Sequence, residues 1–340
     1  MKPRPLVLLV LLVLLSALVW LSVWLWRVSK FVSLPEPAED YQKAIEKFKA
    51  IEKAESALPL SPEGHSRLLT QGHKTERVFV LLHGLTNCPE QFIPLARILR
   101  ASGANVVVPR ARYAGFADRM NTVQGLQSGQ DLLNQAAAGL DIASGLGEHI
   151  SLVGLSGGAV AAAWMAENRD GIESVLLVSP FFGVHGQPVA LIDGISAVLA
   201  RTPNFYLWWN PKEKEAIAGP PYAYPRFGTR CIADTIELSR DVRDHLVSHP
   251  LRAGRLGILI SGSDNAANSE QTNQLAAQWE QRNPGRVSIY EFPKALEIPH
   301  DMIDPNQPDA KRKSHIQKFL NSCVSSRIEW WSPHLQSRRS

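Results

Sequence analysis

Ser156 stands in Gly154-Leu155-Ser156-Gly157-Gly158, with a glycine two places away on either side, a setting that can turn its hydroxyl into a nucleophile. The apolar run Ile150-Ser151-Leu152-Val153 precedes it and a helix-like run, Ala159 to Glu167, follows. A sharp strand-to-helix turn projects a serine above a sheet, and small flanking residues let strand and helix approach closely. Acyl transfer by such a serine also needs a base for its proton, an acid to orient and charge that base, and donors for the oxyanion. His300, in Ile298-Pro299-His300-Asp301-Met302, is the candidate base, and Asp264, in Ser261-Gly262-Ser263-Asp264-Asn265, the candidate acid. Each follows a strand-like run. The interval between them holds one helix and one strand, which returns the chain to an adjacent loop at the same end of the sheet. Asp301 and Asp304 compete for the acid role. A residue beside His300 in sequence seldom reaches its imidazole from the correct side, which favours Asp264.

The segment Leu81-Leu82-His83-Gly84-Leu85-Thr86 ends an earlier apolar run. Gly84 permits a tight turn, after which the backbone N–H of Leu85 can pair with that of Gly157 as an oxyanion hole. His83 is expected to fix the loop with its ring. No metal or organic cofactor is expected, because H-E-x-x-H, dinucleotide G-x-G-x-x-G and P-loop patterns are absent. The three cysteines, Cys88, Cys231 and Cys323, are too few and too far apart for a disulfide framework.

Strand-like runs that could position these groups are Val78–Leu82, Asn105–Val108, Ile150–Val153, Ser174–Val178, Leu256–Ile260 and Val287–Tyr290. Helical patterns fill most gaps, over Pro89–Ala101, Gly125–Ala143, Gly157–Asn168, Ser269–Gln281 and Lys311–Ser325. Continuous apolar strands separated by helices predict an α/β fold with a mainly parallel sheet covered on both faces, and reactive groups at the carboxyl ends of its strands. Pro180 to Ala253 is too long for one crossover and rich in aromatic residues, so it reads as a cap inserted over the site.

The first residues carry a different signal. Leu6 to Trp26 is apolar except for Ser16 and Ser22, long enough for a single-pass N-terminal transmembrane helix, with Trp20, Trp24 and Trp26 at one interface; a cleaved signal peptide is the rival, though its apolar region is usually shorter and ends in small residues. Lys2 and Arg4 precede it and Arg27 and Lys30 follow it, so charge assigns no side; N-terminus inside is taken. Tyr41 to Ala57 reads as an amphipathic stalk or brace. The expected organisation is a membrane anchor over 1–30, a stalk over 31–76, a core over 77–179 and 254–325, a cap over 180–253 and a tail over 326–340. A net charge of +4 is spread along the 340 residues, with basic clusters only at Lys311-Arg312-Lys313 and Arg338-Arg339, so no nucleic acid partner is expected.

The His83-Gly84 turn, the Ser156 elbow, Asp264 and His300 in that chain order resemble the α/β-hydrolase superfamily over about Arg77 to Asn321. Within it the chain resembles the lysophospholipase, monoacylglycerol lipase and carboxylesterase group, particularly membrane-anchored bacterial relatives. The resemblance implies an α/β-hydrolase fold and hydrolysis of a small-molecule or lipid-like carboxylic ester through a Ser156-His300-Asp264 triad and an acyl-enzyme. Thioesterase and acyltransferase chemistry use the same machinery, and an idle fold serving as a membrane-bound scaffold is the rival of another class. Two departures stand out. Gly157 occupies a position where such lipases usually carry a bulky residue, which predicts more room, or more mobility, beside the oxyanion donor. Tyr113-Ala114-Gly115-Phe116 stands where they tend to show a Gly-His-Gly turn.

Overall fold

The structure, a computed structural model, describes residues 9–18, 31–212, 214, 219–246 and 249–306. The expected helix Lys311–Ser325, both basic clusters, the tail and Cys323 lie outside these. The first described helix, α1, comprises residues 9–18, all exposed. Here the expected single-pass anchor is corrected: among the described residues no helix is long and apolar enough to cross a membrane. The remainder of Leu6 to Trp26 lies outside the described residues.

Seven strands form the main sheet: β1 (Arg67–Leu69), β2 (Thr75–Leu82), β3 (Asn105–Val108), β4 (Gly147–Leu155), β5 (Ser174–Val178), β8 (Arg255–Ser261) and β9 (Val287–Phe292). Their order is β1-β3-β2-β4-β5-β8-β9, and only the β1–β3 pair is antiparallel. Every residue of β3 and β5 is buried, as strands sandwiched between two layers require. From β2 the chain turns one way to β3 and then back across to β4. The β2–β4 junction is therefore the switch point, where a crevice opens at the carboxyl ends.

One face of the sheet is covered by α4 (Gly129–Leu146), α5 (Gly157–Asn168), α7 (Thr229–Leu246) and α8 (Ser269–Arg282), with Leu140, Val160, Ile236, Leu238 and Trp279 in one continuous core. α5 is buried from Gly157 to Glu167. The other face meets α3 (Ile93–Ala101) through Ile93, Leu95 and Leu99. α4 starts at a capping box, with Ser128 and Asp131 each satisfying a backbone N–H of the other.

Within 180–253 lie α6 (Val189–Leu199), the antiparallel hairpin β6 (Tyr206–Trp208) and β7 (Arg226–Gly228), and α7. α7 packs against α5 in the main core.

Residues 31–55 lie against the core. α2 (Tyr41–Glu55) buries Ala44 and Phe48 beside α4, and Asp141 of α4 accepts the N–H of Glu36 and a bond from Arg169. At its end Glu55 is 3% exposed and accepts from the N–H and hydroxyl of Ser66 and from Arg110 Nε at 3.0 Å. Arg110 begins the loop that follows β3. Replacing Glu55 by alanine leaves this guanidinium with the Ala111 and Ala114 carbonyls but no opposing charge, and the expected loss of stability is about 3 kcal/mol, measurable as a lowered urea midpoint at unchanged slope.

Candidate active site

β4 ends in Leu155 and α5 begins at Gly157, so Ser156 must make the whole turn. Its backbone takes φ 55° and ψ −116°, strained for a residue with a Cβ, and it is 8% exposed. A Cβ on Gly154 would lie 2.4 Å from the Gly158 carbonyl oxygen, and one on Gly158 would lie 2.4 Å from that of Leu82. Both glycines are required for α5 to start against β4 and β2. Register does the rest: Leu82 pairs with Gly154, which brings Gly84 alongside Ser156. An added Cβ on Gly84 would lie 3.4 Å from Ser156 Cβ.

Ser156, Leu85 and His300 line one cleft of about 400 Å³, whose apolar wall includes Leu155, Phe181, Trp209 and Ile232. Asp264 lies behind the imidazole: His300 Nδ1 donates to Asp264 Oδ2 at 2.7 Å, and the N–H groups of Ala266 and Ala267 donate to Asp264 Oδ1 at 2.8 and 3.0 Å. Burial raises the Asp264 carboxyl's affinity for a proton, but His300 and the two backbone donors outweigh it, so its pKa falls below the usual value. For His300 the signs reverse. Burial lowers its pKa, while the charge and hydrogen bond of Asp264, with the charge of Asp301, carry it above the ordinary imidazole value. The pair leaves Nε2 as the basic nitrogen of the ring.

The rival carboxylates are committed elsewhere. Asp301 accepts from Gln91 Nε2 at 2.7 Å and from the N–H of Ile303 and Asp304, and Asp304 accepts from the Tyr222 hydroxyl at 2.6 Å.

Leu85 and Gly157 adjoin. The first N–H groups of a helix have no partner within it, so that of Gly157 is available at the start of α5. The space beside Gly157 is not open as the sequence predicts: an added Cβ there would meet Leu85 Cγ at 2.8 Å. The Leu85 side chain fills the volume a bulky residue after the serine would take. His83 is 1% exposed; its Nε2 accepts the Ala111 N–H at 3.1 Å, so Nδ1 carries the proton and donates to the Gly84 carbonyl at 2.9 Å. Burial pushes its pKa down to about 4, and the ring stays neutral while it ties β2 to the loop after β3.

Thr86, at φ 60°, joins this loop to the insertion, its carbonyl accepting the Tyr224 N–H at 2.7 Å and its hydroxyl oxygen accepting from Trp209 Nε1 at 2.9 Å. The Tyr224 hydroxyl, in turn, donates to the Tyr113 carbonyl and accepts the Phe116 N–H. Cys88 and Cys231 are buried free thiols, both pushed up to about 12 by burial, which leaves neither as a nucleophile. Sequence reasoning missed Gln91, which accepts the N–H of Gly84 at 2.8 Å. No pattern singled it out, because it stands beside Glu90 just ahead of the apolar run Phe92 to Leu95.

The sequence matches the alpha/beta hydrolase family over residues 79–298. The chain belongs to that family. Solved structures similar to this hydrolase include that of a metagenome-derived lipolytic enzyme from work on LipS and LipT, at 15% identity and TM-score 0.56 over 77% of this chain and 99% of that one. A second is the monoacylglycerol lipase of Paleococcus ferrophilus, at 18% identity and TM-score 0.54 over 77% of this chain and 98% of that one. A third is a soluble variant of the Saccharomyces cerevisiae monoglyceride lipase in complex with a substrate analog, at 13% identity and TM-score 0.56 over 76% and 90%. At these identities the likeness is one of fold. Among curated proteins none matches the sequence.

Proposed function

We propose that this hydrolase cleaves carboxylic esters through an acyl-enzyme. Ser156 attacks the carbonyl carbon while His300 Nε2 takes its proton. Asp264 holds the ring in the productive tautomer and stabilises the imidazolium, and the N–H groups of Leu85 and Gly157 receive the oxyanion. His300 then returns the proton to the departing alkoxide, and a water activated by the same nitrogen releases the acid and restores Ser156. The observation that supports this reading is the 2.7 Å His300–Asp264 pair in the cleft whose strained turn carries Ser156.

The substrate belongs to the same proposal. The apolar wall favours an uncharged ester with a hydrocarbon acyl group, in keeping with fold neighbours that are lipases. A fluorophosphonate probe is expected to label Ser156, with the modified peptide identified by mass spectrometry. In a series of p-nitrophenyl esters, kcat/KM is expected to rise from acetate to the medium-chain acyl groups. An unlabelled protein would sink the nucleophile assignment; a maximum at acetate would sink the apolar-acyl assignment alone.

A further inference from the structure

Leu85 and His300 stand on segments far apart in the chain, yet the oxyanion donor and the base have to face one carbonyl group. One buried side chain joins the two segments. Gln91, in the short 3-10 turn Pro89–Phe92, is 2% exposed. Its Oε1 accepts the N–H of Gly84, the neighbour of Leu85, at 2.8 Å. Its Nε2 donates at 2.7 Å to Oδ2 of Asp301, the neighbour of His300 and 210 positions away from Gln91. The other oxygen of Asp301 accepts the N–H groups of Ile303 and Asp304, so that carboxylate is fixed to its own loop as well.

We propose that Gln91 is a positioning residue that sets the separation between the Leu85 N–H and the His300 ring, a role that rests on the ester-hydrolase reading of this site. The chemistry asks for an amide at this place. Gly84 offers a donor and Asp301 an acceptor, and a primary amide meets both, whereas an ionised carboxylate only accepts. Burial makes both bonds matter, because a Gly84 N–H or an Asp301 oxygen left without a partner there is costly. The loop would shift to find one. A displacement near 1 Å at a reacting centre costs ~10²-fold in rate. The loss falls on kcat, since the Leu85 donor acts on charge that develops in the transition state.

The experiment compares the full-length parent with Gln91→Met, which keeps the side-chain length and removes both hydrogen bonds, and with the double variant Gln91→Glu/Asp301→Asn. The double variant reverses the bridge: a carboxylate at 91 accepts from Gly84 and from the amide at 301, and buried charge is conserved. On a p-nitrophenyl ester, Gln91→Met is expected to lose ~10²-fold in kcat with KM changed less than about threefold, and the reversed bridge to recover to within about tenfold of the parent. Recovery by a reversed bridge is not expected of a side chain that only fills space. A Gln91→Met enzyme with parental kcat, or a double variant as impaired as Gln91→Met, would overturn the proposal. Amide exchange over 84–88 and 299–303 gives a readout independent of turnover. Both segments should lose protection together in Gln91→Met and regain it in the double variant, and unchanged protection would overturn the brace. A parent that hydrolyses no ester would instead remove the reading of the site and leave the brace to be judged by exchange.

Discussion

Ser156→Ala is expected to lower kcat at least ~10³-fold while leaving the fold in place, a barrier increase of about 4 kcal/mol. The magnitude follows from how a nucleophile, its base and the base's carboxylate act. Removing the attacking oxygen idles the other two, so the loss is that of the whole unit, and what persists comes from the oxyanion donors and from binding. Stability should change little. Alanine and serine pay the same steric cost at φ 55°, and the packing that holds the turn belongs to Gly154 and Gly158. Parental activity with unchanged thermal unfolding would show that another group attacks.

Asp264→Asn is expected to cost ~10⁴-fold in kcat, more than an ordinary hydrogen-bond deletion, because an amide facing Nδ1 favours the tautomer that places the proton on Nε2. The ring then faces the serine with a donor where an acceptor is needed. The substitution also moves the pH profile in a defined direction. The base is neutral His300, so kcat/KM rises with pH through the imidazole pKa, and the raised value puts that limb above 6.5 in the parent. Asparagine withdraws the charge and the acceptor that oppose burial, and the residual activity of the variant should have its acid limb at lower pH. A limb that stays in place would mean that the Asp264 charge does not govern the ring.

Much of the sheet is legible in the sequence because its strands are covered on both faces. β3 and β5 coincide with the apolar runs Asn105–Val108 and Ser174–Val178, since no solvent-facing position interrupts them. β1 escaped because three half-buried edge residues, Arg67–Leu69, show neither alternation nor length. α7 escaped for another reason. Its buried face includes Thr235, Ser239 and Asp241 among Ile236, Leu238 and Val242, so the apolar period is diluted, and it lies in a stretch dominated by aromatic residues and prolines.

The N-terminal segment shows the opposite failure. An apolar run from Leu6 to Trp26 satisfies the hydropathy rule for an anchor, but no described helix has the length and apolarity to cross a membrane. The pairing of Asp264 with His300 was readable because side-chain chemistry at strand ends leaves a mark in sequence. Leu85 and Gly157 were paired from sequence as backbone donors, but the Leu85 side chain filling the space beside Gly157 left no mark. That filling depends on how the β2–β4 register sets the two loops against each other, which no residue type encodes.

Thr86 carries a consequence for the loop beside the serine. The bonds from Tyr224 and Trp209 both end on Thr86, whose neighbour along the chain is Leu85. The strand end that carries the proposed Leu85 donor is therefore held from two directions, at Thr86 by Tyr224 and Trp209 and at Gly84 by Gln91.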